Sequence, residues 1–399
     1  MKKQVSCNSG RYFMFAFFAV LSLFSYYYIF FIGHRGQAGL TWCDFITQRA
    51  VCEYTLKGFN VYALRGTSFA EDIYMGFHAV PWGCFLGNIF YPGFLSLEAG
   101  KIYFLFMNIT VLIAASYIFY RKAKAVSGEL GFFALMMSLL SVDFLFALYM
   151  GNGGFIVCAF MLIAWALCDE HPYLAGALIG LAMIKPQTAG LFCLSMLLMK
   201  HIKPLIIGAA VDIAAWLAVS VITNTGMLEL LYEFLFSSDS LSMTNAGVFS
   251  FAFSNQLVSM GMSMMLGIIF VSVLQAYTPE NVPEYFRIYP AMLASAFWCY
   301  GNITEGYVLL LPAVICLWMM MKQHSELKRF TWFSLCVWCA YGPVIRSVMR
   351  RILHTLYRTL AHDSVISRQL PRTVYEIGLI AIGIMICIEL RQTYMEDAQ

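Results

Sequence analysis

The stretch TWCDFITQRAVCEYTLKGFNVYALR, residues 41–65, is the first long polar interruption in a very apolar chain, and its placement decides the fold. An uncharged run from Tyr12 to Gly33 precedes it, with Lys2, Lys3 and Arg11 on the N-terminal side. That run is long enough to span a bilayer. A signal peptide would have a shorter apolar core followed by small residues, so the run reads as a retained first helix with its basic end in the cytoplasm. The polar stretch then lies outside and sets Asp44 one short step from the membrane surface. Leu40, Phe45, Ala50, Tyr54 and Phe59 recur at roughly helical spacing, with Asp44, Arg49, Glu53 and Lys57 between them. The spacing predicts a juxtamembrane amphipathic helix, ended by Gly58.

The whole chain has the same apolar character. Of its 399 residues 61% are hydrophobic and only 12% charged, with a mean hydropathy of +0.73. Soluble domains carry about 25% charged residues, so two soluble domains are excluded. The expected fold is all-α, a single polytopic membrane domain over residues 1–399. A net charge of +3 without a basic patch excludes nucleic-acid binding. Most of the 12 cysteines sit inside apolar runs, where a thiol acts as a small hydrophobe. Cys43 and Cys52 flank the polar stretch, but nine residues of helix separate them by roughly 13 Å, too far for a disulfide. No zinc-ligand spacing occurs, and no metal or cofactor is expected.

Charge and helix breakers place the remaining segments. His78 to Leu97 holds Pro81, Gly83, Gly87, Pro92 and Gly93, which suits a re-entrant or interfacial segment better than a span. Ile102 to Tyr120 ends in Arg121, Lys122 and Lys124, a cytoplasmic end. Leu130 to Met150 returns outward to the turn Gly151-Asn152-Gly153-Gly154. Tyr173 to Met199 reads as two half-spans broken at Lys185-Pro186-Gln187, and Ile288 to Met321 as a second broken pair joined around Glu305. The total is about twelve crossing or half-crossing segments, with extracytoplasmic segments at 34–77, 224–255 and 346–372. Six arginines between Arg346 and Arg372 oppose the positive-inside tendency; either a span is miscounted there or these arginines meet anions outside.

Ionisable groups within an apolar bundle are functional candidates. Asp44 is the candidate catalytic base, against the alternatives of a helix cap or a solvated charge. Lys185 is either a phosphate ligand or a lysine that snorkels or pairs with a carboxylate such as Asp143. Glu305 marks the tip of the second broken pair. Arg346 and Arg350 suit either anionic lipid head groups or a substrate phosphate.

The order of these features resembles the GT-C superfamily of membrane glycosyltransferases, and within it the family 87 polyprenyl-phosphate-mannose-dependent mannosyltransferases. The resemblance runs through Asp44-Phe45, then Gly58-Phe59-Asn60-Val61-Tyr62 for a Gly-x-x-x-Tyr segment, and Tyr91-Pro92-Gly93 for a Tyr-Pro-Pro step. It continues through Gly151-Asn152-Gly153-Gly154 for a Gly-Gln-x-Asn turn and through Ala175-Gly176 and Gly180-Leu181-Ala182 to Lys185. It ends at Asn255-Gln256. Glu305 and Gly306 stand where the family has two histidines, which leaves the sugar open. The resemblance implies that a mannose-like sugar passes from a polyprenyl-phosphate donor to a lipid- or glycan-linked acceptor hydroxyl. Transfer would be a single inverting displacement on the extracytoplasmic face of a bacterial plasma membrane. Asp44 would be the base, and Lys185, Gln187, Tyr62, Asn152, Asn255, Gln256, Glu305, Arg346 and Arg350 would bind substrate. The rival readings are a lipid-linked sugar flippase or transporter, which also uses broken helices, and a polysaccharide polymerase or ligase.

Overall fold

A computed structural model describes residues 2–28, 42–64, 79–236, 249, 256–298, 307–358 and 365–396. Among the described residues the chain is all-helical. In order the helices are α1 (Lys2–Tyr27), α2 (Cys43–Leu56), α3 (Gly83–Leu86), α4 (Leu97–Val126), α5 (Gly128–Leu139), α6 (Val142–Met150), α7 (Gly154–Leu167), α8 (Pro172–Ala182), α9 (Pro186–Leu198) and α10 (Ile202–Thr223). They continue with α11 (Met227–Phe236), α12 (Gln256–Tyr277), α13 (Glu284–Arg287), α14 (Tyr289–Trp298), α15 (Leu310–Lys322), α16 (Glu326–Ala340), α17 (Gly342–Arg358) and α18 (Val365–Glu396).

Among the described residues, four segments are long and apolar enough to cross a membrane: Leu97–Val126, Gly128–Met150, Ile202–Thr223 and Thr373–Met395. The sequence reading of about twelve crossing or half-crossing segments is not confirmed by these four, and many other apolar helices are short. Those that position the site are α7, α8 and α9, with 14, 11 and 13 residues. At 1.5 Å per residue they are roughly 21, 17 and 20 Å long, against about 30 Å of hydrocarbon. Local sequence sets each limit. Gly151 closes α6 in the left-handed region at φ 68°. Proline opens both α8 and α9 at the first turn, where its missing N–H costs nothing. The expected break at Lys185-Pro186 is present.

The interior is built on α7 and α15. Every residue from Gly154 to Trp165 and from Leu310 to Met319 is buried. Around them, α8 and α10 approach closely through small residues. A Cβ at Gly176 would stand 2.5 Å from Ile207, one at Gly180 2.9 Å from Val211, and one at Gly208 2.9 Å from Ile179. This is the small-residue helix packing of membrane interiors, and it fixes α10 beside the end of α8. α1 lies across the break between α5 and α6: Ser22 donates to the Leu140 carbonyl at 3.0 Å and Tyr26 to the Ser141 carbonyl at 3.3 Å.

Within the polar stretch that follows residue 40 runs the helix α2, beginning at Cys43. Gly58 ends it as expected, at φ 86°, with its N–H on the Thr55 carbonyl and the Phe59 N–H on the Tyr54 carbonyl. Its burial is two-sided. Phe45 and Cys52 enter the main core, whereas Ala50 and Val51 join a second cluster with Val61, Tyr62, Ala79, Cys84, Val219 and Leu230. The expected single apolar stripe gives way to a helix wedged between two cores. Arg49 adds a tie by donating to the Leu95 carbonyl at 2.5 Å while pairing with Glu53 at 2.9 Å. The segment 79–95 is broken, as its prolines and glycines require: one turn of α3, a 3-10 turn and irregular backbone.

Candidate active site

The start of α2 docks on the turn between α6 and α7. Trp42 caps α2 in the left-handed region at φ 62° and donates its N–H to the Tyr149 carbonyl at 3.0 Å. Phe45 is the anchor, fully buried with its ring against Trp42, Tyr91 and Phe104 at 5.6, 5.8 and 5.4 Å. Two glycines make room for this approach. A Cβ at Gly151 would fall 2.4 Å from the Phe45 Cβ, and one at Gly153 would fall 2.5 Å from the Tyr91 hydroxyl.

With Phe45 seated, Asp44 is placed over the turn. Its Oδ2 accepts from Asn152 Nδ2 at 2.5 Å. Asn152 Oδ1 in turn accepts from Lys185 Nζ at 2.7 Å and from the Gly154 N–H at 2.7 Å. Only this orientation of the amide satisfies all three contacts, because the reverse would set two acceptors face to face and two donors face to face. Lys185 occupies the cap of α9, immediately after α8 ends. The short helices thus bring a carboxylate, an amide and an ammonium into one hydrogen-bonded line within the apolar bundle. Asp44 is half-buried and lies in the first turn of α2. Beside it, burial and then the Asp44 charge push the Cys43 thiol up to about 11. Cys43 therefore stays protonated at neutral pH and points its S–H toward Asp44 Oδ1, 3.6 Å away.

Residues 85–279 match the model of glycosyltransferase family 87. Over that stretch, just under half of its length, the chain is similar to that family. It is a membrane glycosyltransferase, and it acts between a sugar donor and an acceptor. No curated protein and no solved structure matches it. The match contains Asn152, Lys185 and Gln187. Asp44 lies outside it and is joined to it by the bond to Asn152.

The other expected site residues of this glycosyltransferase are dispersed. Gln187 stands in the first turn of α9, two residues from Lys185. Tyr62 is buried in the second cluster and donates its hydroxyl to the Ala79 carbonyl at 2.7 Å, a packing role for that group. Arg346 and Arg350 lie on α17, Arg346 half-buried and Arg350 exposed. α17 is tied to the residue that follows α1: Tyr28 donates to the Ser347 carbonyl at 3.2 Å, and Arg351 covers the Tyr28 ring at 5.3 Å. Asn255 and Glu305 fall outside the described residues; Gln256 opens α12.

Among the described residues one group of metal-type donors occurs, Cys168, Asp169 and His201, at the junction of α7 and α8 with the start of α10. His201 is already occupied there: Nδ1 lies 3.4 Å from Asp169 and Nε2 2.7 Å from Glu284. Its hydrogen bonds with Cys168 and then Glu284 raise its pKa to about 10. At neutral pH it is an imidazolium, which donates on both sides.

Proposed function

We propose that this membrane glycosyltransferase transfers a mannose-like sugar from a polyprenyl-phosphate donor to a lipid- or glycan-linked acceptor hydroxyl by inverting displacement, with Asp44 as the base. The observation that carries the reading is the line Asp44–Asn152–Lys185, which sets a base and a cation on the same turn. The acceptor oxygen attacks the anomeric carbon while its proton passes to Asp44. The bond from that carbon to the phosphate oxygen breaks, and the electron pair leaves with the phosphate. The departing phosphate monoester needs cationic stabilisation more than a proton, and Lys185 supplies it.

Asn152 holds both partners and keeps them apart. In direct contact, Asp44 and Lys185 would neutralise each other and leave neither free for substrate. With an amide between them, the carboxylate keeps lone pairs for an acceptor O–H, and the ammonium keeps donors for phosphate oxygens. Gln187 extends the polar surface beside Lys185. Arg346 and Arg350, together with Asn255, Gln256 and Glu305, complete the set of candidate substrate contacts. The basic N-terminus and the cluster Arg121, Lys122 and Lys124 support an orientation with Asp44 on the extracytoplasmic side of the membrane, which we take to be a bacterial plasma membrane.

The test supplies radiolabelled polyprenyl-phosphate mannose to the purified enzyme in liposomes. The wild type is expected to form labelled product and Asp44→Asn to fold yet form none. Normal turnover by Asp44→Asn would remove the base. Movement of label across the bilayer without covalent change would replace the transferase with a flippase.

A further inference from the structure

Asp212 stands in the middle of α10, a spanning helix that is mostly exposed on its outer face, and no role in the displacement above requires it. Its Oδ1 is buried, and no hydrogen-bond partner for that atom occurs among the described residues. One helical turn further on, Trp216 repeats the pattern: its Nε1 is buried and likewise has no partner among the described residues. Residues i and i+4 share a helix face, about 6 Å apart. An unsatisfied acceptor and an unsatisfied donor therefore face the same way inside an apolar bundle, where each is costly unless something fills it.

The surroundings indicate the filler. Trp82 packs its ring 6.0 Å from that of Trp216 at an interplanar angle of 55°, and its Nε1 donates to the Met183 carbonyl at 2.9 Å. Met183 lies two residues before Lys185, at most about 7 Å along the chain. Trp216 also borders the cluster that includes Ala50 and Val51 of α2, the helix that carries Asp44. The group thus lies between the two elements that supply the base and the cation.

We infer that Asp212, Trp216 and Trp82 form the subsite for the sugar ring whose phosphate Lys185 holds. A phosphate would be repelled by Asp212. A lipid tail offers it no donor, and a cation offers nothing to an indole N–H. A pyranose satisfies all three groups: one hydroxyl donates to Asp212, a hydroxyl oxygen accepts from Trp216, and the C–H face lies against indole. The inference rests on the lipid-linked donor proposed above and adds the groups that distinguish one sugar from another.

The test is equilibrium binding of radiolabelled ligands to the full-length protein in nanodiscs. The ligands are a short-chain prenyl phosphate and the same lipid carrying glucose, galactose or mannose. The wild type is expected to bind one of the sugar-bearing forms more tightly than the bare lipid. Asp212→Asn, which keeps the shape, and Trp216→Phe, which keeps an aromatic ring, are each expected to reduce that gain about tenfold or more, the factor for a lost hydrogen bond. Both should leave bare-lipid affinity unchanged, and two independent variants cover a folding failure in either. Lys185→Ala should weaken both ligand types. An undiminished sugar gain in both variants, or equal weakening of the bare lipid, overturns the subsite while Lys185-dependent binding keeps the donor reading. A sugar gain that needs Asp212 but is indifferent to Lys185→Ala overturns the phosphate assignment and keeps the subsite. No binding of either ligand by the wild type overturns both.

Discussion

Replacing Asn152 with Asp changes a single group in the proposed machinery and changes its sign. The amide nitrogen now donates to Asp44 Oδ2 at 2.5 Å; in Asn152→Asp an oxygen stands in its place. The other oxygen still accepts from Lys185 and from the Gly154 N–H, at the 2.7 Å now observed, so the turn keeps its shape. Two unit charges about 4 Å apart repel by about 4 kcal/mol at an effective dielectric constant near 20. That is close to three powers of ten in proton affinity, and Lys185 offsets part of it. The two carboxyls then hold one proton between them until the pH is raised. The acid limb of kcat/KM against pH should therefore move up by about two to three pH units, with activity recovering on the alkaline side. Asn152→Ala, by contrast, should lower activity evenly across pH, because it removes hydrogen bonds without adding charge. The assay is sugar transfer in liposomes between pH 5 and 9.5. An Asn152→Asp profile parallel to that of the wild type would refute the reasoning, since it would mean that the group at 152 does not face the catalytic base.

Lys185→Ala should raise the donor KM at least about tenfold, the scale of a lost charge-assisted hydrogen bond, with the acceptor KM little changed; an unaltered donor KM would count against the phosphate role. Gly151→Ala puts a Cβ 2.4 Å from that of Phe45 at a position with φ 68°. The left-handed backbone alone costs about 1–2 kcal/mol, so the melting temperature and activity should fall together, and a variant as stable as the wild type would contradict the close docking of α2. His201 gives a dependence on pH. Its pKa is about 10 in the fold against 6.5 for an unperturbed histidine, so the imidazolium's contribution is complete below pH 6.5 and fades as pH rises through about 10. The difference in melting temperature between wild type and His201→Gln should shrink across that interval, and a difference that grows with pH would refute the ionic bridge to Asp169 and Glu284.

Much of the architecture could be read from residue order because it depends on local chemistry. The all-helical class follows from hydropathy, the stop at Gly58 from its positive φ, and the break at Lys185 from Pro186. Asp44, Asn152 and Lys185 could each be singled out, but not as one line, since 108 residues separate the first two and 33 the last two. Helical spacing says which residues share a face and is silent on what that face meets. For the same reason the pattern in residues 40–59 suggested one buried stripe, whereas α2 meets a core on each side. Tyr62 shows the limit in a single residue: a motif position does not reveal whether a hydroxyl meets a ligand or a carbonyl, and here it meets that of Ala79. Trp82 and Trp216 carried no signal as separate tryptophans in apolar stretches, because their relation exists only once α3 and α10 are adjacent.

The recurring pairs in the sequence separate physically into an anchor and a reactive group. Phe45 is buried so that Asp44 need not be, and Gly151 and Gly153 admit Phe45 and Tyr91 so that Asn152 between them reaches both charges. Gly176 and Gly180 do the same at longer range. By letting α10 pack against α8, they set the level of Asp212 and Trp216 relative to the end of α8, where Lys185 follows. The length of α7 also sets where Asn152 stands. Lengthening α7 by one turn, with α8 unchanged, would move Asn152 by about 5.4 Å and break its bonds to Asp44 and Lys185 while leaving all three residues in the chain.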